Sequence, residues 1–64
     1  MSPKYICLCN PHSQEWLVFD YVEGQEKYAP NYGCPITSGK TPEDAIAGAV
    51  DMFSIDPDTV EVHY

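Results

Sequence analysis

Only one stretch of this chain, TPEDAIAGAVDMF at 41–53, has the pattern of a helix, and everything else must be arranged around it. Thr41 is suited to the N-cap, and Pro42 falls at the first helical position, where a missing N–H is not needed. Glu43 and Asp44 place negative charge at the positive end of the helix dipole, and Asp44 takes the third position of a capping box. Ala45/Ile46, Ala49/Val50 and Met52/Phe53 recur at helical spacing and predict a stripe that faces the core. Gly48 costs about 1 kcal/mol relative to Ala inside a helix, so it is expected to permit a close backbone approach. SIDPD ends the helix, with Pro57 as the breaker.

Four other segments read as strands. KYICLC (4–9) alternates Tyr5, Cys7 and Cys9 against Ile6 and Leu8. NPHSQ turns the chain, since Asn-Pro and Ser favour reversal. EWLVFDYV (15–22) is the strongest strand, with Trp16, Val18, Asp20 and Val22 on one face and Leu17, Phe19 and Tyr21 on the other. Two largely apolar faces predict a central strand covered on one side by the helix and free to meet a partner on the other. EGQEKYAPNYG (23–33) is a long irregular connection, of the kind that often carries function in a small domain. PITS (35–38) can form a short third strand, which Pro35 confines to a strand start or an edge, and Gly39 turns the chain. TVEVHY (59–64) alternates Val60, Val62 and Tyr64 against Thr59, Glu61 and His63, as a half-buried strand does. The expected fold is a single α+β domain over 1–64, β-β-β-α-β, with one helix packed on a small, mainly antiparallel sheet of three to four strands.

At 64 residues this is one small domain, with little room for a substrate cleft, a cofactor pocket and their supporting shell. Such a chain gains from burying surface against a second copy or a partner, so a homodimer is compatible with it. Ten Asp/Glu against three Lys and no Arg give a net charge of −7. A domain of this length has a radius of gyration of about 11 Å, and salt screens over about 8 Å, so an approaching polyelectrolyte meets an anion. Direct nucleic-acid binding requires Lys and Arg against phosphates and is not expected; the field attracts basic surfaces instead, including those of nucleic-acid-processing proteins. The plainer reading of the acidity is solubility. No apolar run is long enough to span a bilayer and no signal-peptide core follows Met1-Ser2-Pro3-Lys4, so a cytoplasmic protein, with no membrane partner, is expected.

The stretch APNYGCPITSGKTPEDAIAGAVDMF is similar to the signature of the HicB-like antitoxin domain, a Pro-rich Gly-Cys corner followed by Thr, Gly and a Thr-capped acidic helix. Pro30, Gly33, Cys34, Thr37, Gly39, Thr41, Glu43, Asp44, Ala45, Ile46 and Ala49 can be laid on it. One residue is extra between Cys34 and Thr37, Lys40 sits where an acid is usual, and the 23–29 loop is long. The resemblance implies a partial ribonuclease-H-like βββαβ fold without metal-binding carboxylates, and a domain that masks a small basic RNA-cleaving toxin. TPEDAIAGAVDMFSIDPDTVEV also resembles short phage inhibitors of bacterial RNA polymerase. Anti-CRISPR proteins resemble the chain in size, charge and lack of catalytic motifs.

Other chemistry is weaker. Cys7, Cys9, His12 and Cys34 could supply a Cys₃His zinc site, but the usual two-to-four-residue spacer is absent and a buried cysteine behaves as a small hydrophobe. An odd cysteine count without a secretory signal argues against a disulfide framework. A Cys–His nucleophile needs an orienting group and an oxyanion site that nothing specifies. Phe19, Tyr21 and Phe53 read as core. The expectation is therefore a non-enzymatic inhibitor without cofactors, of phage or mobile-element origin in a bacterial host. Asp20, Glu23, Glu26, Glu43, Asp44 and Asp51 would meet Arg and Lys of a basic nucleic-acid-processing protein, and Trp16, Tyr28 and Tyr32 would act as anchors. A HicB-like antitoxin and a zinc-stabilised structural module are the alternatives.

Overall fold

The computed structural model describes residues 4–63. β1 (Tyr5–Cys9) and β2 (Trp16–Asp20) pair antiparallel, with Tyr5 opposite Asp20 and Cys9 opposite Trp16. The expected turn joins them through a local network. The Asn10 side-chain oxygen accepts the His12 N–H at 2.9 Å, and the Asn10 carbonyl accepts the Gln14 N–H at 2.7 Å. Gln14 takes a left-handed φ of 61°, which turns the chain back into β2.

β3 (Thr37–Gly39) pairs antiparallel with the other side of β2, from Trp16 to Val18. It starts later than the expected 35–38, because Pro35 has no N–H to give a ladder. α1 (Pro42–Phe53) then carries the chain across the sheet, and β4 (Val60–His63) lands parallel to β1. The strand order is β3-β2-β1-β4, a four-stranded mixed sheet with two antiparallel pairs and one helix. The β-β-β-α-β expectation describes it. Tyr64, expected at the end of the last strand, lies outside the described residues.

The helix forms where its caps allow. Thr41 Oγ1 accepts the Asp44 N–H at 3.2 Å, and Ser54 ends the helix in the left-handed region at φ 55°, its N–H on the Ala49 and Val50 carbonyls. The chain leaves the helix at Ser54, before Pro57 is reached; Pro57 instead opens a 3-10 turn (Pro57–Thr59) leading into β4.

Alternation along the strands divides the core into two layers. On the helix side, Cys7, Val18, Ala45, Ala49 and Ile55 are buried, with Tyr5, Trp16, Ile36, Ile46, Val60 and Val62 packed against them. On the other side, Ile6, Leu8 and Phe19 are buried beneath Ala29, with Leu17, Tyr21 and Tyr32 around them. This corrects the expectation that the second face stands free for a partner. The 21–36 connection, through its 3-10 turn (Ala29–Asn31), folds over that face and seals it with Ala29 and Tyr32.

Two further expectations are corrected. Ala45 and Ala49 do face the sheet, but Val50, Met52 and Phe53 are exposed, Met52 at 72% and Phe53 at 54%. Val50 follows Ala49 by one residue, roughly 100° round a 3.6-residue turn, and so looks away from the sheet. Two small alanines seat the helix; Met52 and Phe53 belong to its final turn, where Phe53 joins Tyr5 and Asp20 at the margin of the β1–β2 pair. The close backbone approach is made at Gly39 rather than Gly48. A Cβ at Gly39 would lie 2.6 Å from the Ala45 nitrogen, whereas one at Gly48 would meet Thr37 at an ordinary 3.8 Å.

Candidate partner-binding surface

The outer side of α1 is built by the helical repeat itself. Glu43, Ala47 and Asp51 follow one another at i, i+4 and i+8, and Ile46 and Val50 make the adjacent row. Together with Pro57 from the turn before β4 they line an open groove of 570 Å³, apolar along its floor and acidic at both ends. From Thr41 to His63 the chain contains no Lys or Arg and carries Glu43, Asp44, Asp51, Asp56, Asp58 and Glu61. The last turn of α1 contains no basic residue to offset the negative end of the helix dipole.

A second concavity of 420 Å³ lies where the sheet meets the end of α1. Tyr5, Asp20, Pro35, Ile36, Phe53 and Ile55 line it. Tyr5 and Asp20 are cross-strand partners, so their side chains emerge on the same, helix-covered face. Asp20 closes the apolar Trp16–Val18 row as an exposed carboxylate and is joined in no ion pair among the described residues.

The acids expected to meet a partner do not form one patch. Asp20, Glu43, Asp44 and Asp51 belong to the helix-side layer, whereas Glu23 and Glu26 sit exposed in the connection that covers the opposite face. Glu26 takes a long, 3.5 Å hydrogen bond from the Asn31 side chain. The three aromatics separate likewise. Trp16 is half-buried against the helix-side core. Tyr32 packs its ring against Phe19, centroids 5.4 Å apart, which makes it part of the second core. Tyr28 is the exposed one of the three. Ile46, Ala47, Val50 and Pro57, and the cleft residues Tyr5 and Phe53, were not among the expected contacts. The i, i+4, i+8 row of Glu43, Ala47 and Asp51 is legible in the sequence; the approach of Phe53 to Asp20 is not.

The cysteines are dispersed. Cys7 is fully buried on the helix side, Cys9 is partly buried and Cys34 is exposed in the loop before β3. Among the described residues no three His, Cys, Asp or Glu side chains stand where they could share a metal ion, so the Cys7, Cys9, His12 and Cys34 set does not assemble. Burial, and then the charges of Cys9 and Glu43, push the Cys7 thiol up to about 11, leaving it protonated near neutral pH. At the β4 edge, His63 Nε2 stands 3.0 Å from Glu61 Oε2, and Lys27 Nζ stands 3.6 Å from the same oxygen. The neighbouring His63 imidazole first, and then the Lys27 ammonium, hold the Glu61 carboxyl below the usual range against a partial desolvation that raises it.

Compared with models of known protein families, with curated proteins and with solved structures, the chain gives no match. No helix among the described residues is long and apolar enough to cross a membrane.

Proposed function

We propose that this chain is a non-enzymatic acidic inhibitor, encoded by a phage or other mobile element, that covers the basic nucleic-acid-binding surface of a nuclease, polymerase or CRISPR effector in a bacterial cytoplasm. The observation that carries the reading is the charge on the helix side. The helix and the turn that follows it carry Glu43, Asp44, Asp51, Asp56 and Asp58 with no Lys or Arg, and Glu43 and Asp51 flank an apolar groove. Such a surface repels phosphates and attracts cationic grooves, while the apolar floor gives contact area that charge alone lacks.

A second reading, a HicB-like antitoxin, is favoured by the βββαβ order and the Thr41-capped helix, both of which that resemblance implies. Its partner is a small basic RNA-cleaving protein, neutralised in stoichiometric complex.

The test is affinity capture from a bacterial lysate, followed by binding measurements with the captured protein across a salt series. The partner is expected to be a cationic nucleic-acid-binding protein whose activity is lost in the complex. The combined variant Glu43→Gln, Asp44→Asn, Asp51→Asn should weaken the complex roughly tenfold, since three partly exposed ion pairs contribute about 0.5 kcal/mol each. Unchanged affinity in that variant, or a uniformly anionic partner, rejects the reading.

A further inference from the structure

We infer that the cleft between the Tyr5–Asp20 pair and the last turn of α1 receives a single arginine side chain from a cationic partner protein. This rests on the acidic-inhibitor reading and names one contact through which it operates. The cleft combines three elements that recognise a guanidinium. Asp20 provides a carboxylate that is exposed and without an ion pair among the described residues. Tyr5 and Phe53 provide aromatic surface, on which a planar cation can rest while its in-plane N–H groups reach the carboxylate. Pro35, Ile36 and Ile55 provide an apolar lining for the methylene stem, which a long cationic side chain buries as its head stays near water.

Among the described residues, no lysine lines the cleft. Lys4 precedes Tyr5, so strand alternation directs it away from the Tyr5 face; Lys27 pairs with Glu61; Lys40 lies beyond the other end of α1. The C-terminal end of the helix dipole adds negative potential beside Phe53, with no basic residue in that turn to cancel it. A second copy cannot be the donor, because the sequence contains no arginine. Arginine is favoured over lysine because a compact ammonium cannot both lie flat on a ring and fork to a carboxylate.

The experiment is a ¹⁵N NMR titration of the full chain with N-acetyl-arginine amide and with its neutral isostere, N-acetyl-citrulline amide. Saturable shifts are expected at Tyr5, Asp20, Phe53 and Ile55, with citrulline about three- to fivefold weaker. Asp20→Asn should erase the difference between the two ligands, and Phe53→Ala should weaken both; each residue is exposed, and thermal melts check that both variants stay folded. Glu15→Gln, exposed just before β2 and at the opposite end of that strand from Asp20, should change neither ligand's affinity. Equal response to the two ligands, or shifts spread along the acids of α1, overturns the inference. A decalysine peptide separates this from the broader reading. If decalysine binds with strong salt dependence while arginine and citrulline remain indistinguishable, the cleft fails and the acidic surface stands. If decalysine fails to bind, the broader reading falls, whatever the cleft does.

Discussion

Thr37 Oγ1 donates a 2.7 Å hydrogen bond to the Ala45 carbonyl oxygen, tying the edge strand β3 to the first turn of the helix that crosses above it. β3 is only three residues long, so its ladder with β2 holds it weakly, and this half-buried bond supplies a second attachment. Thr37→Val keeps the shape and the β-branch while removing the donor. The Ala45 carbonyl keeps its place in the helix, so the loss should be about 1 kcal/mol. Urea denaturation should show a lower midpoint with an unchanged slope.

The two glycines beside this contact are expected to respond in opposite directions. Gly39→Ala puts a Cβ 2.6 Å from the Ala45 nitrogen and 2.8 Å from the Asp44 Cβ, so β3 must part from the helix start. A loss of about 2 kcal/mol or more is expected, as for other overpacked sites. Gly48→Ala meets Thr37 at 3.8 Å, an ordinary contact, and removes an interior helix glycine. It should stabilise by about 0.5–1 kcal/mol. Thermal melts of the two variants should move apart, and destabilisation by Gly48→Ala would show that the helix sits closer to β3 than described.

The contrast between these glycines shows how much of the molecule was legible beforehand. Caps, strand alternation and the order of elements are local properties, and Thr41, Pro42, Cys7/Leu8 and Val60/Val62 behave as their spacing implies. Which glycine touches another backbone depends on where β3 passes the helix, a non-local fact. Met52 and Phe53 misled for the same reason: helical period states which side a residue is on, while the contacts at the end of the helix decide whether that side is covered. The 21–36 connection has no periodicity, so its return over Ile6, Leu8 and Phe19, which brings Ala29 and Tyr32 into the second core, leaves no signal in the sequence. At the candidate surface, charge was legible residue by residue. The division of the acids between two sides of the sheet was not.

Cysteine reactivity should follow burial. Cys34 is exposed, whereas Cys7 is enclosed and its thiol is pushed up to about 11, chiefly by burial. At about pH 8 a thiol with that value is thiolate in roughly one molecule in a thousand, before any barrier to access. In the native protein Cys34 should attack an aromatic disulfide reagent quickly, forming a mixed disulfide and releasing the reagent's aryl thiolate, with Cys7 reacting at least roughly a hundredfold more slowly. Denaturant should bring Cys7 to the rate of an ordinary thiol. Fast native labelling of Cys7, located by mass spectrometry, would contradict its placement beneath α1.

The pairing of Glu61 with His63 and Lys27 sets the sign of one pH effect. Glu61 is held below its ordinary carboxylate range first by the His63 imidazole 3.0 Å away and then by the Lys27 ammonium. A carboxylate whose folded pKa is depressed binds fewer protons in the folded chain than in the unfolded one. Its contribution is therefore complete above the unfolded value of about 4.3 and is lost as pH falls through the folded value. The difference in stability between wild type and Glu61→Gln should consequently be widest above about pH 5 and should shrink steadily on acidification. Because the pair is solvent-exposed, added salt should narrow the same gap at neutral pH. Urea midpoints of both proteins, measured from neutral to acid pH, decide the point: a gap that stays constant, or widens in acid, means that the Lys27–Glu61–His63 cluster does not tie the 21–36 connection to the β4 edge.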